Sequence, residues 1–194
     1  MSAPRRLGAP DAKNRTVLMD AAEQLMLEQG WATVTSRRIA EHAGLKPQLV
    51  HYYFRSMDEL FLELFRRRAD QGLEALAQVL KSERPLHALW EFSTDATAAR
   101  FTMEFVGLAN QKPAVRAEVV RYSEQFRAAQ TDGLGRMLAG YGVDTSRFPA
   151  EVLSVLMTSA ARMVVLEQAL GMTAGHAETF AFAEREIDLL EPEQ

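Results

Sequence analysis

The chain has 194 residues, 47% of them hydrophobic, with 11 glycines, 7 prolines and no cysteine. It is long enough to bury a full core, and a disulfide-stapled miniprotein, a collagen or a disordered tail is excluded. Its net charge of −4 is unevenly spread: residues 1–55 hold eight Lys and Arg against five Asp and Glu, a net of +3, which leaves −7 for the remainder. That asymmetry describes a small basic module attached to an acidic body. Without cysteine there is no thiolate nucleophile and no zinc–thiolate site, which fits a reducing, cytoplasmic location.

Met1 to Asp11 carries Pro4, Gly8 and Pro10 with Arg5 and Arg6 and almost nothing apolar, so residues 1–11 are expected to form a mobile basic arm without the apolar core of a signal peptide. From Ala12 the pattern turns helical. Val17, Leu18, Ala21, Ala22, Leu25 and Met26 make one apolar stripe, and Gly30 stops it. After Trp31 to Val34, Thr35 or Ser36 can cap a short second helix with Ile39, Ala40 and Ala43 inward, ended by Gly44. Pro47 suits the first turn of a third helix that runs to about Tyr53. Two short helices joined by a tight glycine turn predict a helix-turn-helix, assigned to residues 12–56.

Ser56 and Glu59 form a capping box, so a long fourth helix starts near Met57 and runs to about Lys81, with Gly72 as a candidate bend. Further helices are predicted over Pro85 to Asp95, Ala98 to Asn110, Pro113 to Ala139, Pro149 to Leu170 and Ala177 to Leu190. No run alternates with period two as a strand would, so the fold class is all-α, with about nine helices. Val152 to Ala161, the charge-free stretch of the C-terminal apolar region, is about half of the roughly 20 residues a membrane span needs, and no membrane partner is expected.

The stretch from Thr16 to Leu60 carries the Ala21-Ala22 helix, Gly30, the run Thr35-Ser36-Arg37-Arg38-Ile39-Ala40, then Ala43-Gly44-Leu45, His51-Tyr52-Tyr53-Phe54-Arg55-Ser56 and Asp58-Glu59-Leu60. It closely resembles the DNA-binding domain of the tetracycline-repressor (TetR) family. The resemblance covers about a quarter of the chain. It implies an all-helical homodimer whose last two helices pair across a two-fold axis, with a ligand pocket in each body. Residues 57–194 are accordingly assigned to ligand binding and dimerisation. The resemblance also places Thr35, Ser36 and Arg37, and the third helix from Lys46 to Tyr53, at double-stranded operator DNA. Four positions depart from the family pattern: Lys46 replaces Ser or Thr, Gln48 replaces a frequent glycine, His51 replaces tyrosine and Met57 replaces lysine.

The candidate DNA-binding residues are Thr35, Ser36, Arg37, Lys46, Pro47, Gln48, His51, Tyr52, Tyr53 and Arg55. Lys46 offers a phosphate or guanine partner, and Gln48 a bidentate contact to adenine. An imidazole at position 51 can gain a proton beside phosphates, which would make operator affinity fall as pH rises. For Arg38 phosphate contact and a solvated face stand equal, whereas Arg66, Arg67 and Arg68 lie too far along the fourth helix and read as a solvated face. Arg5 and Arg6 suit nonspecific electrostatics better than base reading.

In the body, Trp90, Phe101, Phe105, Tyr122, Phe126 and Met157 are candidate ligand residues of a mostly apolar cavity, with core filling as the competing role of each. Leu156, Met163, Phe180 and Ile187 are candidate dimer contacts, because apolar residues spread around the last two helices more widely than one core face requires. His87 and His176 have no metal-ligand partner at readable spacing, and no cofactor or metal is expected. No HExxH, phosphate loop or GxSxG is present, which argues against an enzyme. The expected function is a ligand-responsive transcriptional repressor, released from a palindromic operator by a small, largely apolar effector. The alternative is a DNA-binding factor of the same fold that answers to a protein partner or organises DNA.

Overall fold

The computed structural model describes residues 13–191; the proposed basic arm, with Arg5 and Arg6, lies outside them. Among the described residues the elements are α1 (Lys13–Gln29), a 3-10 turn (Trp31–Thr33), α2 (Ser36–His42), α3 (Pro47–Tyr53), α4 (Met57–Val79), α5 (Pro85–Ser93), α6 (Ala96–Ala109), α7 (Pro113–Gly140), α8 (Ala150–Ala169) and α9 (His176–Asp188), with no strand. The fold is all-α, as periodicity and punctuation require. The 3-10 turn was not expected. It is closed by the Thr33 and Val34 N–H groups donating to the Gly30 and Trp31 carbonyls at 3.2 and 3.1 Å.

Packing divides the chain into two units, residues 1–69 with 101–120, and residues 70–100 with 121–194. In the first, α1 buries Leu18, Met19, Ala21, Ala22, Leu25 and Met26, and the short helices bury Ile39, Ala40 and Val50 beside Phe54. Of the Arg triplet of α4, Arg66 is exposed as expected of a solvated face, whereas Arg67 and Arg68 are half-buried, which corrects the expectation for those two. Arg67 pairs with Asp20 at 2.6 Å and with Glu23 at 2.8 Å, Arg68 reaches Glu23 at 3.1 Å, and Arg66 pairs with Glu118 of α7. The carboxylates of α1 thus draw these arginines back onto the unit, a fixing of geometry worth little stability in itself since exposed pairs contribute about 0–1 kcal/mol. From α6, Glu104 accepts the Trp31 N–H at 2.7 Å and so pins the turn that precedes α2.

The second unit is built on Leu76, Leu86, Leu89, Leu134, Leu138 and Ala150, with Phe126, Leu153, Met157, Ile187 and Leu190 packed against them. Gly72 serves close packing here: a Cβ on it would lie 2.8 Å from Cζ of Phe126, so the helix passes the ring only without a side chain. Glu191, beyond α9, is buried and caps α5. Its carboxylate accepts the Leu86 and His87 N–H groups at 2.9 and 3.2 Å and the Tyr141 hydroxyl. Pro85 leaves no N–H of its own to satisfy at that helix start.

Candidate nucleic-acid interface

The turn between α2 and α3 follows from Gly44. Its φ of +65° lies in the left-handed region, where a Cβ would cost about 1–2 kcal/mol. That conformation lets the Leu45 N–H donate to the Ala40 carbonyl at 2.8 Å and the Gly44 N–H to the Glu41 carbonyl at 3.2 Å, the paired bonds of a Schellman motif. At the other end of α2, the Thr35 hydroxyl accepts the Arg38 N–H at 3.3 Å and caps the helix.

α3 then presents two faces. Val50 and Phe54 are buried, while Lys46, Pro47, Gln48, His51 and Tyr52 are exposed and Tyr53 is half-buried, its ring edge-on to Tyr52 at 5.0 Å. Lys46 occupies the N-cap position of α3 without capping it, so its ammonium is not engaged by its own helix. Arg37 and Arg55 are exposed, Ser36 is half-buried, and Thr35 is exposed. The Glu59 carboxylate accepts the Arg55 N–H at 2.7 Å and the Ser56 hydroxyl accepts the Glu59 N–H at 3.2 Å, so the capping box closes on Arg55. Arg38, left open between two roles, is structural: it donates to the Thr33 carbonyl at 3.2 Å and to Gln29. The ten candidate DNA-binding residues therefore fall on α3, on the start of α2 and on the link to α4, with Lys46, Gln48, His51 and Tyr52 together on the exposed side of one short helix.

The candidate ligand residues do not form one group. Phe101 and Phe105 belong to the first unit, where their rings meet tilted at 4.7 Å and Phe105 meets Phe65 at 5.0 Å. Trp90, Tyr122, Phe126 and Met157 belong to the second. There Trp90 meets Phe180 edge-on at 5.6 Å, and the Tyr122 hydroxyl donates to Asp70 at 2.6 Å. Burial first, and then the bond to Asp70, holds the Tyr122 pKa above the ordinary phenol value. An open depression on α1, lined by Asp20, Glu23, Gln24, Leu27 and Glu28, includes none of these six residues.

Of the candidate dimer contacts, Leu156 is 59% and Met163 53% exposed, in company with Val152 and Val155 on α8. Phe180 and Ile187 instead turn partly into the core of their own unit, the first against Trp90 and the second against the Leu76 cluster. The large exposed apolar residues near or on α9 are Phe182 and Leu189.

Sequence reasoning missed a polar seam between α7 and α8. Gln130, Ser154 and Thr158 are buried. The Ser154 hydroxyl donates to the Gln130 carbonyl oxygen at 2.9 Å and accepts from Arg127 at 2.9 Å, and the Thr158 hydroxyl donates to the Ser154 backbone carbonyl at 2.7 Å while standing 3.1 Å from the Gln130 oxygen. The signal was present in the spacing of Ser154 and Thr158, four apart on the most apolar stretch of the helix.

A short helix with a basic and polar outer face, held through a glycine turn on a capped partner helix, defines a helix-turn-helix domain of the DNA-binding class. Residues 18–64 match the family described as bacterial regulatory proteins, tetR family, so in this domain the chain is similar to that family. Similar proteins include the HTH-type transcriptional regulator BetI of Rhizobium meliloti, 28% identical over 131 residues covering 62% of this chain and 64% of that one. The BetI of Brucella anthropi is 30% identical over 94 residues, 47% of this chain and 48% of that one. The matched region thus spans less than two thirds of the length of these relatives. Among solved structures, a TetR-family regulator from Rhodococcus sp. superposes with a TM-score of 0.72 at 14% identity over 92% of this chain and 99% of that one. A TetR regulator from Haloarcula marismortui gives 0.70 at 18% identity over 91% and 95%. These likenesses show the fold. The family and the relatives are transcription regulators, not enzymes, and among the described residues no helix is long and apolar enough to cross a membrane.

Proposed function

We propose that the protein is a ligand-responsive repressor, in which residues 12–56 read DNA and residues 57–194 bind an effector and dimerise. The observation that carries the reading is the outer face of α3, where Lys46, Gln48, His51 and Tyr52 stand exposed above buried Val50 and Phe54. A helix of this kind inserts in a major groove, with Gln48 positioned for a base edge and Arg37, Lys46 and Arg55 for phosphates. Thr35, Ser36, Pro47, His51, Tyr52 and Tyr53 complete the proposed contact surface.

The dimer in this reading forms through the outer face of α8, where Leu156 and Met163 are exposed. Its operator is palindromic, and a small, largely apolar effector in the second unit releases it by favouring an arrangement with different spacing of the two α3 helices. The protein acts in the cytoplasm, where its DNA is. Selection of bound duplexes from a random pool tests the proposal: inverted half-sites about 34 Å apart, or a multiple of that, are expected. Enrichment of unpaired sites or of no sequence would refute it.

A further inference from the structure

The start of α2, where Thr35, Ser36 and Arg37 are proposed to meet DNA, is not held by its own helix. α2 has seven residues, and helices shorter than about 12 residues are marginal alone, so its place is set by what it is tied to. Ile39 and Ala40 fix its inward side in the core. Its N-terminal end is tied to the 3-10 turn before it. The Thr35 hydroxyl accepts the Arg38 N–H at 3.3 Å, and the Arg38 guanidinium donates to the Thr33 carbonyl at 3.2 Å.

The turn is itself tied to α6. Its first N–H, that of Trp31, is of the kind that a helix start leaves without a partner in its own backbone, and the Glu104 carboxylate accepts it at 2.7 Å. Three positions on, Gly107 faces the Trp31 indole: a Cβ on it would stand 3.0 Å from Nε1 of the ring. Residues three apart share a helix face, so α6 grips the turn twice, its backbone at Glu104 and its ring at Gly107. Gly30, between α1 and the turn, has a φ of +84°, a conformation that glycine alone takes readily. All of these residues belong to the first unit, although Glu104 stands far beyond residue 56, where the segment assigned to DNA reading ends.

We propose that Glu104 is a positioning residue for operator recognition: through the Trp31 turn it holds the start of α2, and with it Arg37, in register with α3. The inference rests on the DNA reading above and adds a residue from outside the segment that touches DNA. Phosphate contacts fix the register of a protein on the duplex while base contacts specify, and a binding constellation tolerates only about 0.5 Å of play. An α2 released at its start keeps its charges but loses that register. Binding to random DNA needs only the charges and is preserved, whereas binding to the operator is weakened.

The test uses the full-length protein, the duplex that wild type enriches from a random pool and a scrambled duplex, at a temperature where circular dichroism shows every variant folded. Glu104→Ala is expected to weaken operator binding about tenfold, the worth of one misplaced base contact, to leave the scrambled duplex within about twofold, and to speed hydrogen exchange of the Trp31 N–H. Glu104→Gln, which keeps an acceptor oxygen, should restore most of the operator binding. Val115→Ala, at a buried position on α7 of the same unit, lowers stability by a cavity and should leave the operator-to-scrambled ratio unchanged. Should Glu104→Ala not fold, Glu104→Asp, which withdraws the carboxylate by one methylene, takes its place with the same expectation. An unchanged ratio in Glu104→Ala, Trp31 protection that survives it, Glu104→Gln as weak as Glu104→Ala, or an equal fall of the ratio in Val115→Ala would each overturn the proposal. A wild type that enriches no duplex would remove the DNA reading and this inference together. A wild type that binds its operator, matched by Glu104→Ala, removes this inference alone.

Discussion

Glu191 supplies the sharpest test of how the second unit is held together. Replacing it with alanine strips the cap from α5, leaving the Leu86 and His87 N–H groups, bonded at 2.9 and 3.2 Å, and the Tyr141 hydroxyl without their acceptor. Hydrogen bonds to a charged group are worth about 1.5–3 kcal/mol each, but the buried carboxylate has already lost much of its hydration, so the sum is not available in full. About 3 kcal/mol is expected for Glu191→Ala. Glu191→Gln keeps one oxygen and should cost about half of that.

The pH dependence fixes the cause. Burial alone would raise the Glu191 pKa, yet the bonds from the Tyr141 hydroxyl, the Leu86 N–H and the His87 ring and N–H outweigh it and hold the value below its ordinary 4.5. A carboxylate whose folded pKa is depressed contributes stability that is present above the unfolded value and is lost as pH falls through the folded one. The gap between wild type and Glu191→Gln should therefore narrow on acidification below about pH 4.5. In a Trp31→Phe background, Trp90 becomes the one tryptophan and sits on α5 itself, so its fluorescence during urea unfolding reads the affected helix. A gap that stays constant from neutral to acid pH would show that the charge of Glu191 is not what caps α5.

The remaining tests address the DNA face, the turn and the outer face of α8. Arg37→Ala should flatten the linear fall of log operator affinity with log salt, whereas Gln48→Ala should relax base preference at one position per half-site by about 1–3 kcal/mol. Equal losses on operator and random duplexes would count against base reading by Gln48. Gly44→Ala has open space for its methyl but a φ of +65°, so it should destabilise the first unit by about 1 kcal/mol, with asparagine losing less; an unchanged thermal midpoint would contradict the strain. Tyr141, raised to about 12 by burial and by its bond to Glu191, contributes stability that is present below its ordinary value of 10 and lost as pH rises toward 12. Tyr141→Phe should remove that alkaline loss from the melting curve. Leu156→Glu should yield folded monomers in sedimentation, while Ile187→Glu should unfold the unit instead; an intact dimer for Leu156→Glu would reject the α8 surface.

Helix positions were legible because their punctuation is chemical. Pro47, Pro85 and Pro113 open α3, α5 and α7, and Gly30 and Gly44 stand at or next to the ends of α1 and α2. Each carries a local backbone constraint that no tertiary contact need supply. The outer face of α3 was legible for a similar reason, since seven residues with two inward anchors leave little choice of rotation. The polar contacts were not. Glu104 reaches Trp31 across 73 positions and Glu191 reaches Leu86 across 105, and nothing in either neighbourhood of the sequence names its partner. The Arg66 to Arg68 run lies too far along α4 to reach the DNA face, and nothing in its own neighbourhood names the acceptors that it meets on α1 and α7.

The two C-terminal helices show where a periodicity argument divides. On α9 the stripe Phe180, Ala183 and Ile187 is half-buried within its own unit, so an apolar stripe by itself does not say which surface it meets. What distinguishes a face available to a partner is apolar area in excess of that stripe. Leu156 and Met163 on α8 are seven apart, as are Phe182 and Leu189 at α9, and all four stay exposed, while Thr158 and Ala161 between the first two are buried. Seven-residue spacing keeps side chains on one line over two turns, which is the geometry by which paired helices meet along a seam. The excess residues, rather than the stripe, therefore mark the surface on which the proposed dimer depends.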